Sequence, residues 1–260
     1  MGLTKGAGPL AGGGRAPSNF SLEGPAHQLH LEPYPRRLRV VVAGRLAADT
    51  LGASLLMETG LLPVAYVPFP DVDRSLIERT DTSTSCPFKG ECSYWSVAGV
   101  PDALWAYEHP IETAPWLAGL AAFDRFKIEH FLVEEDRVFG PHLRDPYTRV
   151  DVHDSARTAV VTVAGVEVAR TRRPRLLFET GHPVRVYVPP ADVAIGALVP
   201  SSTRAQCPYK GESTYWHVRA GDRVVQDACW SYETPLPEAA RVQGHAAFAG
   251  DEVEIVLSDR

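Results

Sequence analysis

Short runs of β-branched and alternating apolar residues, each closed by glycine or proline, run along this chain. LRVVVA at 38–43 and TAVVTVA at 158–164 predict strands. Gly44-Arg45 and Gly165-Val166 follow where hairpin turns belong, and partner strands are expected near 46–50 and 166–170. ASLLME at 53–58 fits either strand or helix, and its counterpart RLLFET at 175–180 favours strand. PVAYV at 63–67 and VRVYV at 184–188 read as strands that stop at proline. Asp71 and Asp192 then stand where an N-cap opens a short helical turn, with Leu76 and Ile77 facing inward. A Cys-Pro-x-Lys-Gly turn leads into a strand ending at Val97 or Val218. A further strand carries Trp105 to Tyr107, or Trp230 to Tyr232, and a last hairpin is expected over 119–133 or 244–257. Many short strands at close spacing predict a mostly β fold, as a compact barrel or sandwich with short helical turns.

The same series occurs twice. CPFKGECSYWSV at 86–97 matches CPYKGESTYWHV at 207–218 in eight of twelve positions, at an offset of 121 residues. That offset also aligns Gly44 with Gly165, Glu58 with Glu179, Pro68 with Pro189 and Asp71 with Asp192. After an insertion of four residues the offset becomes 125, pairing Trp105 with Trp230, Tyr107 with Tyr232 and Phe123 with Phe248. Order and spacing hold over about ninety residues, so the chain is a tandem duplication. Each copy is of domain size rather than a solenoid unit. The expected organisation is a flexible tail at 1–35, a first domain at 36–135, a linker at 136–149 and a second domain at 150–260. Two like domains in one chain are expected to form an intramolecular pseudo-dimer about an approximate two-fold axis.

Composition narrows the function classes. The 260 residues are 45% apolar, ample for two cores, and carry a net charge of -6. An acidic balance argues against nucleic acid as a partner. The local cluster Arg170, Arg172, Arg173 and Arg175 reads as a solvated loop. There are four cysteines, Cys86, Cys92, Cys207 and Cys229, with no Cys-x-x-Cys pair, so no zinc site is expected and a reducing compartment fits best. No apolar run reaches the length of a membrane span, and the Gly-, Ala- and Pro-rich start does not read as a signal peptide, so a cytoplasmic protein with no membrane partner is expected.

Three groups could carry chemistry. The first is Cys86 and Lys89, with Cys207 and Lys210, where a tight turn sets an ammonium near a thiol. It is either a reactive thiol or a buried cysteine beneath a turn. No histidine recurs at a fixed offset, so no Cys–His pair is shared by the copies. The second is Glu58 and Glu179, carboxylates in apolar strands that need a partner; Lys89 or an arginine is the natural one. A ligand-facing acid or base and a structural ion pair are both open. The third is aromatic: Tyr94, Trp95, Trp105 and Tyr107, with Tyr215, Trp216, Trp230 and Tyr232, suited to a pocket or to a core. Phosphate-loop, dinucleotide and metalloprotease motifs are absent, and the residues name no cofactor and no metal.

The series Gly44, Ala48-Asp49-Thr50, Glu58, Gly60, Pro68, Asp71-Val72, Thr84, Cys86-Pro87, Lys89-Gly90, Tyr94-Trp95, Trp105, Tyr107, Pro110, Phe123 resembles the family called domain of unknown function 427, also labelled a nucleotidyltransferase-like domain. Both copies match, over about 36–134 and 150–258. The resemblance implies a small mostly β fold. The second copy departs at Arg170, Ser202 and Ala205, where the family more often has Asp, Asp and Thr, which puts that copy's activity in doubt. Whether the chain is an enzyme stays open. The leading expectation is a pair of domains that bind a small anionic molecule or act on it, with Lys89 holding the anion and Glu58 orienting it or moving a proton. The alternatives are a non-catalytic structural or interaction module, nucleotidyl transfer as the label implies, and thiol chemistry at Cys86.

Overall fold

The computed structural model describes residues 25–138, 140 and 142–259. The chain divides between Asp145 and Pro146 into two compact units. Most of the segment read as a flexible tail lies outside the described residues.

The first unit contains β1 (Leu29–Pro33), β2 (Leu38–Val42), β3 (Arg45–Thr50), β4 (Ser54–Glu58), β5 (Val64–Pro68), β6 (Ile77–Cys86), β7 (Gly90–Val97), β8 (Val100–Ala106), β9 (Leu120–Phe123), β10 (His130–Val133) and β11 (Asp136–Arg137). The second contains β12 (Val150–Asp154), β13 (Thr158–Val163), β14 (Val166–Thr171), β15 (Arg175–Glu179), β16 (Arg185–Val188), β17 (Leu198–Cys207), β18 (Gly211–Ala220), β19 (Arg223–Ser231), β20 (Ala246–Phe248) and β21 (Val253–Ser258). Short 3-10 turns lie between them.

Each unit is an open two-sheet sandwich; neither sheet closes into the barrel that the pattern also allowed. The larger sheet runs β1-β4-β5-β9-β8-β7-β6 in the first unit and β12-β15-β16-β20-β19-β18-β17 in the second, and the smaller runs β11-β10-β2-β3 and β14-β13-β21. In the first unit Leu38, Val40 and Val42 of the small sheet meet Leu55, Met57, Val67 and Leu104 of the large one in one buried cluster. A second cluster, including Leu56, Tyr66, Cys92 and Tyr107, covers the other face of the large sheet, because alternate residues of each strand point to opposite faces. The second unit repeats both clusters.

Four features differ from the sequence reading. Leu29–Pro33, inside the segment read as tail, is a strand paired along its length with β4, since Leu29 and Leu31 pack against the outer cluster. The first hairpins turn at Ala43-Gly44 and Ala164-Gly165, one residue earlier than expected, with both turn residues at positive φ as this two-residue connection requires. Asp71 and Asp192 do not cap helices. They end short 3-10 turns and each accepts a bond of 2.6 Å from a buried threonine hydroxyl, Thr50 or Thr171; Asp73 is the side chain that caps, accepting from the Ser75 amide. The strands of the hairpin expected over 119–133 or 244–257, β9 with β10 and β20 with β21, do not pair with each other. β9 joins β5 and β8, whereas β10 crosses to pair with β2, and β20 and β21 part in the same way. This crossing is how each chain closes its sandwich.

The β6–β7 hairpin positions the site. Its register shifts between Arg79 and Ser83, and β7–β8 shifts between Trp95 and Val97; the second unit has shifts at the matching places. Bulges bend the strands that carry them. The hairpin closes with Cys86 opposite Gly90 at φ +106°, where a Cβ would come within 3.3 Å of the His109 carbonyl oxygen and the Ile111 amide nitrogen. At Gly44, φ is +71° and nothing lies within 4 Å. Gly90→Ala is therefore expected to cost about 3 kcal/mol and Gly44→Ala about 1 kcal/mol, read from urea unfolding midpoints. Equal costs would mean that the hairpin tip does not need its close approach to residues 109–111.

Candidate functional site

Glu58 ends β4 on the outer face of the large sheet, in step with Leu56. Lys89 sits at the tip of the β6–β7 hairpin. Four inter-strand steps separate β4 from β7, roughly 19 Å in a flat sheet. Yet the Lys89 Nζ donates to Glu58 Oε2 at 2.5 Å, so the bent hairpin folds its tip back across the face. Both side chains are buried, at 6% exposure for Glu58 and 10% for Lys89. The other carboxylate oxygen meets His27 Nε2 at 2.8 Å. The His27 ring stacks on Phe88, centroids 3.8 Å apart, so residues on either side of the pair roof it. The Ile111 amide donates to the Lys89 carbonyl and holds the tip from below.

The remaining groups gather around this pair. Tyr66, Tyr107 and Cys92 are buried beside it and Cys86, Tyr94 and Trp105 pack on the same cluster, partly open. Lys89 Nζ lies 5.9 Å from the centre of the Tyr107 ring. The Tyr94 hydroxyl and Thr84 Oγ1 are 2.9 Å apart. The Trp105 indole lies against the Tyr66 hydroxyl and lowers its pKa slightly against the effect of burial, and Trp230 does the same at Tyr187. Burial pushes the Tyr66 and Tyr107 hydroxyls well above their ordinary range. It also pushes the Cys92 thiol up to about 11. These hydroxyls and that thiol are neutral hydrogen-bonding groups at neutral pH.

The second unit rebuilds the frame with different surroundings. Lys210 Nζ meets Glu179 Oε2 at the same 2.5 Å, with side-chain exposures of 13% and 10%. Cys207, Tyr209, Trp230 and Tyr232 pack together nearby, and the Tyr215 and Trp230 rings lie 6.2 Å apart. Thr148 stands where the first copy has His27, but His182 comes in from position 61 of the repeat. His182 is exposed in the turn after β15; partial desolvation there still lowers its pKa, and Glu179 opposes that by charge. Burial raises the thiol of Cys229, which replaces Leu104, to about 12.

The sequence-derived site residues thus divide. Glu58, Cys86, Lys89, Tyr94, Trp105 and Tyr107 share one face. Trp95 does not: it follows Tyr94 in the strand, points to the opposite face and packs against Phe69 in the core, 5.1 Å between ring centres. Trp216 likewise joins the core between the sheets and donates its indole N–H to Ser231. Sequence reasoning missed His27, which lay in the supposed tail, and His182, which has no counterpart in the first copy. It also missed Tyr66 and Tyr187, although they recur at the offset of 121, and Asp102 and Asp227, which recur at 125. Both aspartates adopt φ near +49° and each accepts from a threonine hydroxyl, Thr80 or Thr203. Three of the four clustered arginines pair locally: Arg170 with Glu167, Arg173 with Asp192 and Arg175 with Asp154. Among the described residues no three His, Cys, Asp or Glu side chains gather as a metal-holding group. No helix among them is long and apolar enough to cross a membrane.

A family model described as a domain of unknown function (DUF427) matches the chain twice, over residues 30–134 and 151–259. A search of the curated proteins finds no match.

Exposure separates the four thiols. Cys92 and Cys229 are 1% and 0% exposed, whereas Cys86 and Cys207 are half-buried. Iodoacetamide at pH 8 is expected to label Cys86 and Cys207 in the folded protein and to spare Cys92 and Cys229 until it unfolds. Uniformly slow labelling would remove Cys86 as accessible chemistry. A pH effect follows from His182. Its folded pKa lies below the ordinary 6.5, so the unfolded chain binds more protons at low pH. The stability it contributes is complete above pH 6.5 and is lost as pH falls below that value. His182→Leu is expected to flatten the acid side of the second domain's melting-temperature profile between about pH 7 and pH 5.

Proposed function

Both halves of the chain belong to the domain of unknown function 427 family, and from that premise we propose that each half is a binding domain for a small anionic molecule, received beside the Glu–Lys pair. The observation that carries this reading is what two diverged copies keep. Each retains Glu, Lys, Cys and four aromatic polar groups on one sheet face: Glu58, Lys89, Cys86, Tyr66, Tyr94, Trp105 and Tyr107 against Glu179, Lys210, Cys207, Tyr187, Tyr215, Trp230 and Tyr232. A wall that only had to pack would have drifted to apolar residues, because a buried ion pair is often replaced by them at no loss of stability.

In this reading Glu58 is the frame. It holds Lys89 on one oxygen and His27 on the other. Two basic groups thereby converge on one carboxylate, and His27, 24% exposed, is the one a ligand reaches first. A ligand anion accepts from His27 and from the half-open Tyr94 hydroxyl, while Lys89 supplies charge from beneath. Any proton passing between ligand and protein goes through His27 to Glu58. The second domain has Thr148 in place of His27 and carries His182 near Glu179 instead, so the two domains are expected to prefer different anions.

A second reading, a purely structural module, is favoured by the low exposure of Glu58 and Lys89, 5% and 8%. Lys89→Met is expected to cost about 3–5 kcal/mol under both readings, because it strands a buried carboxylate, so it does not separate them. His27→Ala does. A thermal-shift screen would cover inorganic phosphate, sugar phosphates, small carboxylates, and nucleoside triphosphates with and without Mg²⁺. A specific anion at a hundredfold excess over Kd is expected to add about 2.7 kcal/mol of stability, and His27→Ala to remove most of the first domain's share. A response confined to triphosphate with Mg²⁺ turns the assignment to nucleotidyl transfer. A flat response in every class supports the structural module.

A further inference from the structure

The first domain holds a cavity of about 370 Å³ beside the turn that follows Glu58, with Leu61, Val64, Trp105, Asp124, Phe126 and His142 in its wall. The Trp105 indole faces the Tyr66 hydroxyl on one side and lines the cavity on another. Phe126 stands at the rim, 75% exposed, and offers an apolar ring to whatever enters.

The duplication shows what covers the same ring in the other copy. Trp230 is the counterpart of Trp105, and it faces the Tyr187 hydroxyl as Trp105 faces that of Tyr66. At the position of Val64 the second copy has Arg185, whose guanidinium lies 5.7 Å from the centre of the Trp230 ring. One copy thus lays its own organic cation on the indole. The other has a short apolar residue in its place and a cavity in front of the same indole. Indole faces attract cations through their quadrupole, most strongly where water is excluded. Asp124 brings a carboxylate to the wall; it bonds the Phe126 amide at 2.9 Å and stands 3.9 Å from Lys127. Arg125, the cation of the wall, is turned to the rim, 4.7 Å from the Phe126 ring centre.

We propose that this cavity binds a small organic cation, a guanidinium or alkylammonium on an apolar body, with the charged head on Trp105 beside Asp124 and the body against Leu61 and Phe126. The site takes a ligand of opposite charge to the one proposed beside Glu58 and shares no charged residue with it, so either assignment can fail alone.

The test is calorimetric titration of the full chain with benzylguanidine and benzylammonium, with benzyl alcohol and benzoate as neutral and anionic probes of the same shape. One equivalent of each cation is expected to bind, with benzyl alcohol and benzoate at least tenfold weaker. Val64→Arg supplies the first copy with the second copy's own cation and is expected to weaken binding at least tenfold. Phe126→Ala changes an exposed side chain, leaves the melting temperature unchanged and is expected to weaken binding at least threefold, which keeps the test decisive if Val64→Arg does not fold. The proposal is overturned if neither cation saturates, if benzyl alcohol binds as tightly as the cations, or if both folded variants bind like the parent chain.

Discussion

A single ion pair organises each domain. Glu58 and Lys89 are 31 residues apart, one at the end of β4 and the other at the tip of the β6–β7 hairpin, most of a seven-stranded sheet away, and they meet at 2.5 Å with little exposure to water. Neither charge is affordable there alone. The pair therefore specifies one geometry: the β6–β7 hairpin bent over the outer face, its tip fixed against β4. Gly90 at the tip, the register shifts in β6 and β7 and the seating of residues 109–111 under Lys89 all serve that closure. Glu179 and Lys210 repeat it at the same distance in a domain whose surroundings have changed.

The bend also decides which side chains become neighbours. Folding the hairpin tip over the sheet brings Cys86 and Tyr94 to the tyrosines of β5 and of the segment after β8, and it sends Trp95 to the core between the sheets. Each sheet face thereby has its own composition. The inner face is mostly apolar, aliphatic side chains with a few aromatic rings; the outer face combines apolar packing with hydroxyls, a thiol and the ion pair. A face of that kind holds buried hydrogen-bonding groups in fixed positions, which is the condition for recognising a small polar molecule.

The two copies have diverged around the frame rather than in it. A histidine approaches the carboxylate from position 27 in one and from the position equivalent to 61 in the other. Cys92 of the first copy is Ser213 in the second, and Leu104 is Cys229. Val64 beside Trp105 becomes Arg185 over Trp230. The exchanges at 92 and 104 swap one buried side chain for another inside the clusters, whereas Arg185 changes the charge laid against the tryptophan.

The duplication, the mostly β class, the main strands and the need of Glu58 for a cation, Lys89 or an arginine, were legible in the amino-acid order, because each rests on local periodicity, on a recurring offset or on the cost of burying a lone carboxylate. Three things were not legible, for a shared reason. The crossing of β10 from the large sheet to the small one, the strand at Leu29–Pro33 and the arrival of His27 at Glu58 are long-range pairings. Local pattern gives a strand and its two faces but not its neighbour, and so a β-branched run reads as one arm of a hairpin when it closes a sandwich. The sequence determined which residues each domain must bury; the tertiary structure alone decided which of them meet, because that depends on a bend no short segment encodes.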